Sequence, residues 1–443
     1  MEKDIFFFTA ESFSPGIRNR VTLQPYFRKM RRNDIEIMAP VGSWESLMAA
    51  IQAGANSVYF GIDRLNMRSQ STLNFTFEDL ARIVELCNQH QIKAYLTLNT
   101  VMYDQDLALM RDLIDAAKYY QVTAIIASDI SAITYARSIG VEVHISTQLN
   151  ISNIEAVRFF AQFADVMVLA RELNVKQVSA IYKAIESEKV CGPSGNLVKL
   201  EMFAHGALCM AISGKCYLSL HEYNKSANRG GCLQLCRRGY TVTEKETGYQ
   251  LDIDNQYIMS PKDLCTVDFL DQLLAAGVRV LKIEGRARSA DYVKTVVEAY
   301  SQAAEAVCDG TFTQEKVAVW KEKLSTVFNR GFWDGYYLGR KLGEWSTVYG
   351  SKATKRKVYV GKGTNYFSNI GVGEFLLETH SLKVGDEIII TGPTTGVIEL
   401  TVPELRVDLK PVDEVRKGDR FSMPVAQQVR RSDKVYKIVN AED

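Results

Sequence analysis

Between residues 35 and 283 the sequence keeps one rhythm: a short apolar run of strand length, then a longer stretch whose apolar residues recur every three or four positions. The strand-length runs are 35–39, 57–60, 93–98, 124–127, 142–145, 165–169, 199–203 and 278–283, and stretches such as 44–53, 77–89, 107–120 and 154–163 read as the helices between them. Eight strands alternating with helices predict an α/β fold, a (β/α)8 TIM-like barrel. A doubly wound open sheet is the competing arrangement. Against it, the first strand runs into Ala39-Pro-Val-Gly42 and not into a glycine-rich dinucleotide turn.

After a helix over 290–308 the rhythm changes. One more helix is expected over 314–327, followed by an aromatic, glycine-punctuated stretch over 329–337. From residue 357 onward short strands (357–361, 370–377, 387–391, 396–402, 420–423) are separated by Gly-Asp turns, which predicts a small C-terminal all-β barrel. Four segments follow: a basic flexible arm (1–33), a (β/α)8-like catalytic domain (34–310), a helical and aromatic connector (311–355) and the β-barrel (356–443). Seven basic against three acidic residues stand in the first 32, whereas the whole chain balances 53 against 52, a net charge of +1. Any polyanionic partner must therefore meet a local patch. No apolar run approaches the ~18 residues of a membrane span, and the N-terminal apolar stretch lacks the basic flank of a signal peptide. A soluble, cytoplasmic protein without a membrane partner is expected.

Eight cysteines among 443 residues are too few for a secreted disulfide scaffold. Four of them, Cys209, Cys216, Cys232 and Cys236, fall within 28 residues with the spacing C-x6-C-x15-C-x3-C. Four neighbouring thiolates can take zinc or an iron–sulfur cluster. Structural zinc favours two short knuckles, and a six-residue gap favours the larger inorganic core, a [4Fe-4S] cluster. Gly206, Gly214, Gly230 and Gly231 would give the backbone room beside it. Four buried thiols packed as small hydrophobes are the plain alternative.

The block Glu201-x-Phe-x-His-Gly-Ala-Leu-Cys209, continued by Ser213-Gly-Lys-Cys-Tyr-Leu-Ser219, resembles the defining motif of the collagenase-like peptidase family, family 32 among peptidases of unknown catalytic type. Further matches are Ala39-Pro-Val-Gly-Ser-Trp-Glu45, His144-Ile-Ser-Thr-Gln148, Ser260-Pro-Lys-Asp-Leu264 and Leu281-Lys-Ile-Glu-Gly-Arg286. Several members resemble O2-independent hydroxylases that act on a tRNA uridine, a ribosomal RNA cytidine or a quinone precursor. The C-terminal barrel and the Cys232-x3-Cys236 pair followed by Arg237-Arg238 make this chain most similar to the tRNA uridine 5-hydroxylase branch. That resemblance implies a [4Fe-4S] cluster on Cys209, Cys216, Cys232 and Cys236, prephenate as cosubstrate, tRNA as partner and a need for the iron–sulfur assembly machinery. The basic arm has no counterpart in the resemblance.

Two other classes compete: a peptidase, and a non-catalytic RNA-binding module. The sequence holds no H-E-x-x-H and no G-x-S-x-G, so the best peptidase pair is Cys209 with His205. In a (β/α)8 barrel the chemistry sits at the C-terminal strand ends. Gly42, Asn99, Ser146, Gln148, Arg171, Glu201 and the segment 282–286 fall there. Lys282 and Glu284 alternate on one strand, which makes them either a mutual ion pair or, with Arg286, a clamp for a small-molecule dicarboxylate in which Glu284 serves as acid/base. The catalytic candidates are Lys282, Glu284, Arg286, Gln148 and Asn99. For RNA, Arg237 and Arg238 lie near the mouth with Arg229, Arg286 and Arg288. A second basic group, Lys355, Arg356 and Lys357, precedes the β-barrel with Tyr336, Tyr337, Tyr359 and Tyr366 near it in sequence. The β-barrel could equally serve a protein partner.

Overall fold

The computed structural model describes residues 30–62, 64–70, 74–248, 250–251, 259–339, 343–347 and 350–441. Most of the basic arm, residues 1–29, lies outside the described residues. The barrel strands are β1 (Glu36–Pro40), β2 (Ser57–Phe60), β3 (Lys93–Leu98), β4 (Ala124–Ala127), β5 (Val143–Ile145), β6 (Val166–Val168), β7 (Lys199–Ala207) and β8 (Val278–Ile283). Each pairs in parallel with the next, and β8 pairs with both β7 and β1, so the sheet closes. A helix follows every strand, from Trp44–Gln52 after β1 to Ala290–Cys308 after β8. Local chemistry sets these bounds. Ser43, Asn153 and Asn174 cap helices by accepting the backbone N–H three residues on, and Gly54, at φ +76°, ends the first helix.

Two faces of each strand are buried, and they bury differently. The outward face packs on the helices. The inward face contributes Met38, Tyr59, Tyr95, Ile126, Val166 and Val280, an apolar layer that fills the barrel. Below it Glu36 accepts from Lys93 Nζ (2.6 Å) and Tyr95 Oη (2.7 Å). Burial alone would raise that carboxyl, but the Lys93 charge and these hydrogen bonds outweigh it and hold it ionised.

The strand expected over 199–203 runs on to Ala207 and carries the chain beyond the barrel rim toward Cys209. Its extension pairs antiparallel with Asp263–Cys265, which in turn pairs with Phe332–Trp333. The aromatic stretch over 329–337 therefore adds an edge to the barrel sheet. Tyr337 Oη donates to Phe203 O (3.0 Å), and Phe332 packs against His205. These long-range contacts outweigh the loop signal of the glycines.

The C-terminal part is all-β. Eight antiparallel strands run in the order Gly396–Thr401, Glu387–Gly392, Lys434–Asn440, Lys355–Phe367, Val372–Leu377, Arg420–Pro424, Leu405–Val407 and Lys410–Val412. With the pair Ser381–Lys383 and Glu414–Arg416, they enclose a core that includes Val360, Phe375, Leu377, Ile390, Phe421 and Val435. The strand Lys434–Asn440 was not foreseen, because its central residues are only half-buried and show no clean alternation. Gln52 joins the two parts by donating to Thr395 O (2.8 Å) and accepting from Val397 N (2.9 Å). Among the described residues no helix is long and apolar enough to cross a membrane.

Candidate active site at the barrel mouth

A cavity of about 230 Å³ opens at the C-terminal strand ends. Its lining brings together Asn99, Gln148, Lys282, Glu284, Arg286 and all four clustered cysteines. Six basic side chains line it (Arg68, Arg171, Arg237, Lys282, Arg286 and Arg288) against one acidic side chain, Glu284, so the space favours an anion.

Lys282 does not pair with Glu284. Its ammonium bonds Glu201 Oε1 at 2.7 Å inside the barrel and lies 4.7 Å from the Tyr59 ring centroid. A register shift explains the difference: Lys282 pairs with Phe203 but Ile283 pairs with His205, so the simple alternation ends before Glu284. Glu284 instead accepts from Arg68 Nη2 at 2.8 Å. Burial alone would raise its carboxyl, but Arg68, Arg171 and Arg286 outweigh that and hold its pKa down at about 2. Glu284 is thus a carboxylate at neutral pH, balanced by the arginines around it. Arg286 Nη1 donates to Asn66 Oδ1 (3.1 Å) and Thr97 Oγ1 (3.0 Å), and burial lowers the guanidinium pKa to about 10. Gly42 and Gly61 make room for this residue. A Cβ on Gly42 would stand 2.0 Å from Arg286 O, and one on Gly61 2.7 Å from Arg286 Nη1.

Next to this cluster Asn99 Oδ1 accepts the Met67 backbone N–H (3.2 Å), and Asn99 Nδ2 donates to Ser146 Oγ (3.4 Å). The Ser146 hydroxyl donates to Gln148 Oε1.

Residues 209–240 form a lid across the mouth, built from the short helix Leu218–Tyr223 and the single turns Ala227–Arg229 and Leu235–Arg237. Two arginines fasten it. Arg237 donates to Leu208 O, Pro261 O and Ser260 Oγ, and Arg229 pairs with Asp106 at 2.6 Å and lies over the Tyr103 ring. Gly230, at φ +82°, allows the close approach, since a Cβ there would meet Ser69 Oγ at 2.1 Å. The lid presents the four cysteines to the cavity. Burial pushes the Cys236 thiol up to about 11, and the other three cysteines lie near enough to add to that rise. Among the described residues no group of three His, Cys, Asp or Glu side chains converges to hold one metal ion.

The RNA-binding candidates separate. Arg237 lines the cavity, but its three hydrogen bonds make it a fastener of the lid. Arg238 is exposed on the lid and donates to Tyr223 Oη (3.2 Å). Lys355, Arg356 and Lys357 do not reach the mouth. They line a separate cleft of about 560 Å³ between the barrel and the C-terminal sheets, where Lys355 pairs with Glu387 and Lys357 with Asp291. Tyr337 is buried, while Tyr359 and Tyr366 bond Glu378 and Val425 O, so these rings are committed within the fold. His205 is buried against Tyr292, Tyr300 and Phe332 and is absent from the cavity lining, so the Cys209–His205 pair expected of a peptidase is not assembled. Arg68, Tyr59, Asn66 and Thr97 were missed from sequence. The alternation of β2 would have turned Tyr59 inward, but nothing in the loop around Arg68 marks it.

The sequence was compared with known proteins. The model of Peptidase family U32 matches residues 42–347. A relative named collagenase, from Porphyromonas gingivalis, is 62% identical over 414 residues, covering 94% of this chain and 100% of its own. The tRNA hydroxylation protein P1 of Bacillus subtilis is 32% identical over 366 residues, covering 81% of this chain and 83% of its own. The 23S rRNA 5-hydroxycytidine C2501 synthase of Escherichia coli is 33% identical over 276 residues, covering 62% and 40%. The family match takes in both the strands that build the cavity and the cysteine lid above it: the chain belongs to peptidase family U32.

Proposed function

We propose that this chain is an RNA-modifying enzyme that hydroxylates C5 of a tRNA wobble uridine without O2, using a [4Fe-4S] cluster and prephenate. The observation that carries the reading is the shared cavity: four cysteines on its lid face a basic barrel mouth. Cys209, Cys216, Cys232 and Cys236 would hold the cluster. Four thiols lining one cavity fit the all-cysteine ligand set that such a cluster takes. Bound there, the cluster would supply one-electron chemistry. The excess of cations suits a dicarboxylate such as prephenate. The relatives named for tRNA hydroxylation and for 5-hydroxycytidine synthesis support an RNA substrate.

Protein purified without oxygen should be brown, with broad absorption near ~400 nm and about four irons per chain. In cells lacking the gene, 5-hydroxyuridine derivatives should vanish from tRNA and return with the wild type but not with Cys216→Ala. Colourless protein with one zinc, or unchanged nucleosides, would end this reading. The 62% identical collagenase favours a second one, proteolysis. Sequence-specific cleavage of a peptide panel, lost in Cys209→Ala, would establish it.

The lid supports access by an unpaired stretch of RNA. Between Cys209 and Tyr240 it carries five basic residues and one acidic, with Tyr217 77% exposed and Tyr223 49% exposed. Tyr217→Ala should weaken binding of a tRNA stem-loop roughly tenfold or more, the worth of one base stack. Replacing both Lys215 and Lys225 with Gln should flatten the salt dependence by about one to two units of slope. Fluorescence anisotropy at several salt concentrations measures both, and unchanged slopes would place RNA elsewhere.

A further inference from the structure

The chain of polar groups that starts at Met67 has a direction built into it. The Met67 N–H can only donate, so the Asn99 atom facing it must be Oδ1, and the Asn99 amide nitrogen turns to Ser146. The Ser146 hydroxyl, accepting there, gives its own proton to Gln148 Oε1. The backbone N–H thereby fixes the Asn99 amide, and the Ser146 proton, given to Gln148 Oε1, turns the Gln148 amide nitrogen away from Ser146. Gln148 Nε2 is left as a donor on the cavity wall, with no hydrogen bond among the described residues. The lid holds the stem of the residue: a Cβ on Gly214 would stand 2.9 Å from Gln148 Cγ. That contact also sets the amide beside the loop between Cys209 and Cys216.

We infer that Gln148 reads the base, its Nε2 donating to a carbonyl oxygen of a pyrimidine in the cavity. The inference rests on the RNA-hydroxylase reading and specifies its selectivity. Uracil offers O4 as an acceptor at the position where cytosine carries an amino donor, so cytosine would oppose donor to donor. Asn99 and Ser146 are positioning residues that act through Gln148.

The test uses anaerobically purified full-length protein and two stem-loop RNAs that differ only by U or C at the target position, mixed in competition. The wild type should favour U by roughly five- to a hundredfold, the usual cost of an unsatisfied buried donor. Gln148→Glu still accepts from Ser146 but offers the cavity only an acceptor, so the preference should invert. Any effect of the added charge on RNA binding acts on both RNAs and cancels in the ratio. Gln148→Met should bring the ratio near one, and Ser146→Ala, which frees the amide to flip, should weaken it without inversion. A ratio unmoved in Gln148→Glu and Gln148→Met, with turnover still measurable, would overturn the assignment and leave the hydroxylase reading standing. A wild type that modifies neither RNA would overturn both.

Discussion

Lys282→Met should lower the stability of the folded chain by ~3–5 kcal/mol, the usual cost of breaking a buried ion pair from one side. The partner is what makes the effect large. Glu201 is 0% exposed, it takes the Lys282 ammonium on Oε1 at 2.7 Å, and its Oε2 has no hydrogen-bond partner among the described residues. Without the ammonium, that carboxylate stays ionised in an apolar barrel or must take up a proton, and either is costly. Adding Glu201→Gln removes the stranded charge and should recover most of the loss. Adding Glu284→Gln should not, because Glu284 is balanced by Arg68 on its own. Denaturant midpoints of the three variants decide the matter. An unchanged midpoint in Lys282→Met, or rescue by the Glu284 change, would refute the pairing. Rescue by the Glu284 change would make Lys282 and Glu284 the unit that strand alternation suggests.

That contrast shows what sequence carries. The barrel was legible because each strand repeats a local pattern: 57–60, 93–98, 124–127 and 278–283 coincide with strands of the structure, and other bounds shift by only a few residues. The mouth was legible in outline for the same reason, since strand ends in this fold face one space. Partners were not. Lys282 and Glu284 are two apart in sequence, whereas Glu201 is 81 residues from Lys282 and Arg68 is 216 from Glu284, and only barrel closure brings them together. Arg237 and Arg238 looked equivalent beside each other. The turn Leu235–Arg237 points the first at Leu208 and Pro261 and leaves the second exposed. The triplet 355–357 read as one basic patch, yet Glu387 on a strand and Asp291 on the helix Ala290–Cys308 neutralise its two lysines.

A second large effect lies in the pH dependence. His205 is 1% exposed, and burial among aromatic rings lowers its pKa from the ordinary 6.5 to about 3. The unfolded chain therefore takes up a proton near 6.5 that the folded chain refuses until about 3. Its contribution to stability is full above pH 6.5. It is lost as the pH falls through the window down to 3, by about tenfold in the folding equilibrium per pH unit. Between pH 6.5 and 4.5 this amounts to roughly a hundredfold. Replacing the imidazole by a side chain that does not titrate, as in His205→Asn or His205→Phe, has its own packing cost, so the slope and not the absolute stability is the measure. The stability difference between wild type and variant should narrow steadily as the pH is lowered through the window. Parallel curves would show that His205 takes up its proton as readily in the fold as in the unfolded chain. The same burial decides a mechanistic point. An imidazole that stays neutral down to acid pH and is walled off by Tyr292, Tyr300 and Phe332 cannot take a proton from Cys209 on the cavity side. Cysteine-protease chemistry at this mouth would need a base from elsewhere, and the charged side chains that line it are arginines, a lysine and a carboxylate already held at a pKa of about 2.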